Sequence, residues 1–216
     1  MTDKLQLYAA KVLSIITYPL FVPTWITLGM FSLTYFRLLP SEFLDGILLY
    51  VFVYTFLIPM LGMELIRILN GWTFRDMSQR VHRTIPYILT FLSSAVCVGR
   101  LHHERQPVLV VGVVVSVCAV TLVCLLLNLR WKVSTHMAGM GGMLAALFVM
   151  QDRLTIHPLG IVCFLILLTG LVGTCRMALR QHNLMQILSG VFIGVVCTSF
   201  FLTHFSWHRW LDAIMF

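Results

Sequence analysis

Charge is what this 216-residue chain has least of: Asp, Glu, Lys and Arg together make up 11% of it, against roughly a quarter in soluble globular domains. That scarcity excludes a water-soluble enzyme. With 59% hydrophobic residues and a mean hydropathy of +0.93, the chain has to hide its side chains from water, which also excludes a disordered tail. Negative charge is the scarcer sign, eight Asp and Glu against fifteen Lys and Arg, for a net +7. An anionic partner is expected. No basic arm, stripe or nucleic-acid motif gathers the cations, so nucleic acid is excluded and an anionic lipid head group or a phosphate is preferred.

Paired cysteines are missing too. Cys97, Cys118, Cys124, Cys163, Cys175 and Cys197 all fall in or beside apolar runs, with no C-x2-C spacing, and are read as buried free thiols rather than a metal or disulfide framework. Repeats and low-complexity tracts are absent apart from the valine-rich stretch 108–117, read as a lipid-facing or core helix wall. No small-residue cleavage site follows the opening apolar stretch, which contains Pro19 and Pro23; an uncleaved first helix is expected.

What is abundant is apolar sequence, in seven runs at about 5–36, 43–69, 85–98, 108–129, 137–150, 159–175 and 184–205. A hydrocarbon core of about 30 Å takes ~20 helical residues to cross. The third and fifth runs are shorter than that. They need flanking residues, local bilayer thinning or burial inside the bundle, so six or seven spans are expected. Continuous runs without period-2 alternation exclude a membrane β-barrel. The fold class is therefore all-α, a polytopic transmembrane helical bundle forming one integral membrane domain over 1–216, and the location expected is the bacterial inner (cytoplasmic) membrane.

If each run crosses once, the second, fourth and sixth connections emerge on the face of the N-terminus. Those loops carry Arg75, Arg80, Arg83, Arg130, Lys132, Arg176 and Arg180, with His82, His136 and His182. Three distant segments would then build one polar site. The same cations either follow the positive-inside tendency or hold a bound anion, so they leave the sidedness of the bundle open.

Three segments carry chemistry: RDMSQRVHRTIPY, WKVSTHMAGMGG and CRMALRQHNLMQILSGVFIG. A phosphoryl group in transfer spreads negative charge over three oxygens, so its site needs fixed cations and N–H donors. Arg83 and Arg176, with Arg80 or Lys132, supply the charge, and arginine's planar fork suits two oxygens at once. Backbone N–H groups from Ser134 through Thr135 and His136 to Met137 lie where a helix begins, and Ser134 either caps that helix or donates to the ligand. Two histidines complete a covalent route, one attacking phosphorus and one protonating the leaving oxygen. His182 and Gln186 are four apart, so a helix stacks them on one face, and the Gln186 carbonyl can fix the His182 tautomer.

These segments resemble the three motifs of the type 2 phosphatidic acid phosphatase superfamily, K-x6-R-P, P-S-G-H and S-R-x5-H-x3-D. The last is matched at Arg176 and His182, with Gly190 and Gly194 following. The middle one is matched at Ser134 and His136, with Val133 and Thr135 in place of Pro and Gly, and the first only at Arg83 and Pro86, with Asp76 where the family has Lys. The resemblance spans about 75–194 and implies a phosphatase-like core at about 71–205. It implies His182 as phosphorus nucleophile, His136 as general acid, phosphate held by Arg83, Arg176 and the Ser134 loop, no cofactor and no metal, and a lipid phosphate substrate met at the bilayer. Gln186 stands where the family has its relay Asp; a neutral amide orients an imidazole but cannot stabilise an imidazolium. The comparable change costs about 10⁴ in turnover in a serine protease. A relative that only binds anionic lipid or a membrane partner is the alternative. A small transporter is disfavoured, since no inverted repeat is visible.

Other features have plainer readings. Glu64 in the second run is expected to pair with Arg67 one turn on. His102 with His103, and His204 with His208, lack the carboxylates or thiols that would complete a metal site. Gly139, Gly141 and Gly142, and the G-x3-G pair Gly190 and Gly194, mark close helix packing. The twelve methionines fill gaps in the core.

Overall fold

Proline decides where the first apolar run breaks. In the computed structural model, which describes residues 2–73, 84–155 and 157–214 and the side chains of 7–73, 84–155 and 157–204, α1 (Thr2–Ile16) and α2 (Val22–Leu33) are separated by a 3-10 turn, Pro19–Phe21. Tyr18 takes the extended conformation (φ −60°, ψ 131°) that a following proline enforces. The single first helix expected from sequence is thus two helices. Pro23 then sits in the first turn of α2, where its missing N–H costs nothing.

The second run carries a subtler break. Helices α3 (Ser41–Phe52) and α4 (Ile58–Leu69) are joined through a π turn, Val53–Leu57, in which the Ile58 N–H reaches back five residues to the Val53 carbonyl. Pro59 explains it: its ring crowds the carbonyl of Thr55 and it has no N–H to give, so the helix widens one turn earlier. Phe21 of the first break stacks on Phe56 of the second, with ring centroids 3.9 Å apart.

Among the described residues five further helices follow: α5 (Thr84–His103), α6 (Val108–Asn128), α7 (Thr135–Met150), α8 (Leu159–Ala178) and α9 (Leu184–Ile214). Among the described residues, six stretches are long and apolar enough to cross a membrane, 7–33, 41–69, 84–103, 108–128, 159–178 and 184–204. The short third run reaches that length by recruiting its flanks. The fifth is resolved by burial: α7 has 16 residues, about 24 Å at 1.5 Å per residue, and buries Met137, Met140, Gly141, Ala145, Ala146 and Met150 among its neighbours. Among the described residues there is no strand; Thr34 and Leu154 form one isolated bridge.

Glycine lets α7 and α9 approach at backbone distance. A Cβ on Gly190 would meet the Ser134 carbonyl, one on Gly194 the Ala138 carbonyl and one on Gly141 the Val191 carbonyl. This is the small-residue packing anticipated from G-x3-G. The valine-rich stretch is core wall, with Val110, Val111, Val113 and Val114 buried beside Met30, Val51 and Leu202. Six free cysteines are present, but only Cys97 and Cys124 are buried; Cys118, Cys175 and Cys197 are half-buried and Cys163 is exposed. It lies on α8 with Phe164, Ile166, Leu167 and Leu171, all exposed, an apolar face that suits acyl chains rather than protein.

Candidate functional site

Helix termini build the site. Helix α8 ends in a six-residue reversal in which the Gln181 N–H bonds the Arg176 carbonyl at 3.1 Å and the Arg180 N–H bonds the Met177 carbonyl at 2.8 Å, with Arg180 at φ +51°. This is the Schellman geometry, which ordinarily uses glycine at the left-handed position. It places Arg176, 7% exposed, on the last turn of α8 and delivers His182 to the start of α9 six residues past the arginine.

Asn183 and Gln186 close the start of α9 reciprocally. The Gln186 N–H donates to Asn183 Oδ1 at 3.0 Å, and the Asn183 N–H donates to Gln186 Oε1 at 3.3 Å. That second bond fixes which way the Gln186 amide faces, because an N–H needs the carbonyl oxygen. The same Oε1 lies 3.0 Å from His182 Nδ1. An oxygen that only accepts requires Nδ1 to carry the proton, which leaves Nε2 with the lone pair. The tautomer anticipated from the four-residue spacing is the one this geometry selects.

The start of α7 is tied to the same place. The Ser134 N–H donates to the Gln186 carbonyl at 3.2 Å. Ser134 occupies the N-cap position, but its hydroxyl makes no cap bond; it is fully buried and has no hydrogen-bond partner among the described residues. A buried hydroxyl so placed calls for an occupant such as a water or an anion oxygen.

His136, in the first turn of α7, is held from the opposite side. Its Nε2 lies 3.1 Å from the Ser14 carbonyl, one of the carbonyls that the end of α1 leaves over. The Tyr18 N–H bonds Ile15 instead, and the Tyr18 ring meets the imidazole edge-on, with centroids 5.8 Å apart. A carbonyl only accepts, so Nε2 of His136 carries a proton. Ser14 and Tyr18 are site residues that the sequence reading missed: nothing local marks Ser14, and Pro19 and Pro23 after Tyr18 read as an ordinary helix start.

Two openings meet at this end of the bundle. A cavity of about 460 Å³ has Ser14, Tyr18, Thr135, His136, Arg176 and Gln181 at its polar end. A shallower one of about 430 Å³ is lined by His182 with Lys132, Arg180, Gln181, Asn183 and Gln186. Gln181 borders both. The two openings therefore adjoin: His136 and Arg176 line the first and His182 the second, with the reversal at Leu179 and Arg180 between them. Arg80 and Arg83, with Arg75 and His82, lie outside the described residues.

Glu64 and Arg67 form the expected pair, with Arg67 Nε 2.9 Å from Glu64 Oε2 and a second contact between Arg67 Nη2 and Glu64 Oε1. No cluster of metal-ligating side chains occurs among the described residues. Comparison with protein-family models, with curated proteins and with solved structures gives no match.

Proposed function

We propose that this chain is a membrane-embedded phosphatase that removes a phosphoryl group from a lipid, as its resemblance to the type 2 phosphatidic acid phosphatases implies. The observation that carries the reading is the His182–Gln186 contact, in which an amide pinned by Asn183 holds the proton on Nδ1. In this scheme Nε2 attacks phosphorus and the bond from phosphorus to the lipid oxygen breaks. The leaving oxygen takes a proton from His136. Water then attacks the phosphohistidine, the P–N bond breaks, and the proton released returns to His136. Arg176, Lys132 and the buried Ser134 hydroxyl supply charge and hydrogen bonds to the phosphoryl oxygens, with Thr135 contributing a backbone N–H at the start of α7.

Since Nε2 of His136 serves the Ser14 carbonyl, the proton for the leaving oxygen has to come from Nδ1, and the acid form is the doubly protonated ring. Gln186, being neutral, makes the enzyme slow. Phosphate release from a panel of lipid phosphates, compared between the wild type and His182→Ala, tests the reading.

One observation favours the binding-only alternative. Gln186 and His136 each have a structural task, one closing the start of α9 and the other satisfying a carbonyl of α1, which they would perform without any turnover. Retained lipid binding with no phosphate release is the result that selects it.

A further inference from the structure

We infer that α1 takes no part in crossing the membrane: it lies along the head-group layer on the side of the site, and its partner there is the anionic lipid of that leaflet. The inference rests on the course of the chain and requires no turnover at the site.

The first apolar run passes through the bundle without α1, because α2 accompanies α7 from end to end. At the near end Tyr18 meets His136 in the first turn of α7, and Pro19 and Val22 lie against Gly139. At the far end Thr34 bridges Leu154, and the Thr155 N–H bonds the Leu33 carbonyl at 2.8 Å. Residues 18–34 therefore cover the depth that α7 covers. Helix α1 is left over at the level of His136.

A helix ending there has three courses: out into water, back into the hydrocarbon, or along the boundary. Its surface excludes water. Tyr8, Val12, Ile15 and Ile16 are exposed and, at spacings of three and four, form one apolar stripe. Its charges exclude the hydrocarbon. Lys11 is exposed and would sit about 8 Å deeper than Ile16 at 1.5 Å per residue, with Asp3 and Lys4 of the same helix about 18–20 Å deeper. That is the middle of a core about 30 Å thick, where ionisable residues on a lipid-facing helix are costly.

The boundary suits both. Ala10 and Ser14 are buried and Leu13 packs on the cluster of Met137, Met140 and Val172, so one side of α1 is taken by protein. At about 100° per residue the Tyr8–Ile16 stripe turns away from that side and Lys11 falls on the edge between the two. An apolar face for acyl chains with a cation at its edge is the pattern of an interfacial helix, and a lysine held at that level attracts anionic head groups. The last turn of α1 also presents the Ser14 carbonyl to His136, so the level at which the helix rests and the level of the imidazole are set together.

The test uses the full chain in nanodiscs, with a fluorescent amino acid inserted by codon suppression at position 8, 12 or 15 and lipids brominated at different depths as quenchers. All three positions are expected at one depth, quenched best by the shallowest bromines. A depth that grows by about 10 Å from position 15 to position 8, seven residues of helix rise, overturns the inference, and so does the absence of quenching, which would put α1 in water. Phosphatidylglycerol and phosphatidylcholine carrying the same bromines, in equal amounts, then identify the lipid. Quenching at position 12 is expected to be at least twofold stronger by the anionic lipid, and Lys4→Gln combined with Lys11→Gln to remove at least half of that excess. Equal quenching, or an excess that the double variant leaves unchanged, overturns the anionic partner. Neither reading involves phosphate release, so failure of the phosphatase proposal would leave both standing.

Discussion

Gln186 Oε1 accepts from two donors at once, the Asn183 backbone N–H and the His182 imidazole, so one amide oxygen both closes a helix and sets a tautomer. The two roles separate by substitution. Gln186→Ala removes both, and stability should fall by about 1 kcal/mol, the usual worth of such a cap, while phosphate release falls at least tenfold. Thermal unfolding and a phosphate assay read the two effects independently.

Gln186→Asp keeps an acceptor and adds charge. A carboxylate beside His182 favours the imidazolium that forms as the leaving group departs, so kcat should rise by tenfold or more. The same charge raises the His182 pKa. Because attack needs a neutral Nε2, the acid limb of the kcat/KM profile should move to higher pH relative to wild type. A pH–rate comparison of the two proteins checks both signs.

His136→Ala leaves the Ser14 carbonyl without its imidazole donor and should destabilise by about 1–3 kcal/mol. His136→Gln keeps an N–H to offer and should recover most of that stability. Neither should release phosphate at more than about a hundredth of the wild-type rate, since general acid catalysis is typically worth 10²–10⁴. Stability without activity in His136→Gln is the informative outcome.

Gly194→Val should be among the most damaging changes in the chain. Its Cβ would be driven into the Ala138 carbonyl, and a rigid backbone cannot yield as a side chain can, so a loss of about 3 kcal/mol is expected. Gly170→Ala, on an open face of α8 with nothing within 4 Å, should be neutral or slightly stabilising. Melting of the two detergent-solubilised variants makes the comparison.

Glu64→Gln should leave phosphate release unchanged, because Glu64 is engaged with Arg67 one turn away and lines neither cavity. Loss of activity in this variant would place a proton path through Glu64 and count against the structural pairing.

Much of the bundle was legible because lipid imposes simple rules. Long apolar runs had to be helices, and the short 137–150 run had burial among its options, which is what α7 adopts. Gly190 and Gly194 declared a close approach by their spacing alone, and His182 with Gln186 by theirs. The break at Tyr18 was harder to read, since prolines in a first helical turn look like ordinary starts and only packing against α7 and α8 shows that the chain bends there. Nothing local marks Ser14 either. It matters because a carbonyl left over at the end of α1 meets His136, which is 122 residues away in sequence. The reversal that carries the chain from Arg176 to His182 uses a left-handed Arg180, a conformation that sequence assigns to glycine and that this chain gives to arginine.

The most direct measurement is acid-labile phosphate trapped on the protein. After rapid mixing of purified wild-type protein with a lipid phosphate and an alkaline quench, peptide mass spectrometry should find a phosphohistidine at His182, more abundant in Gln186→Asp and absent in His182→Ala. Phosphate release that proceeds with no label at His182, or no release from wild type and Gln186→Asp alike, would contradict the account.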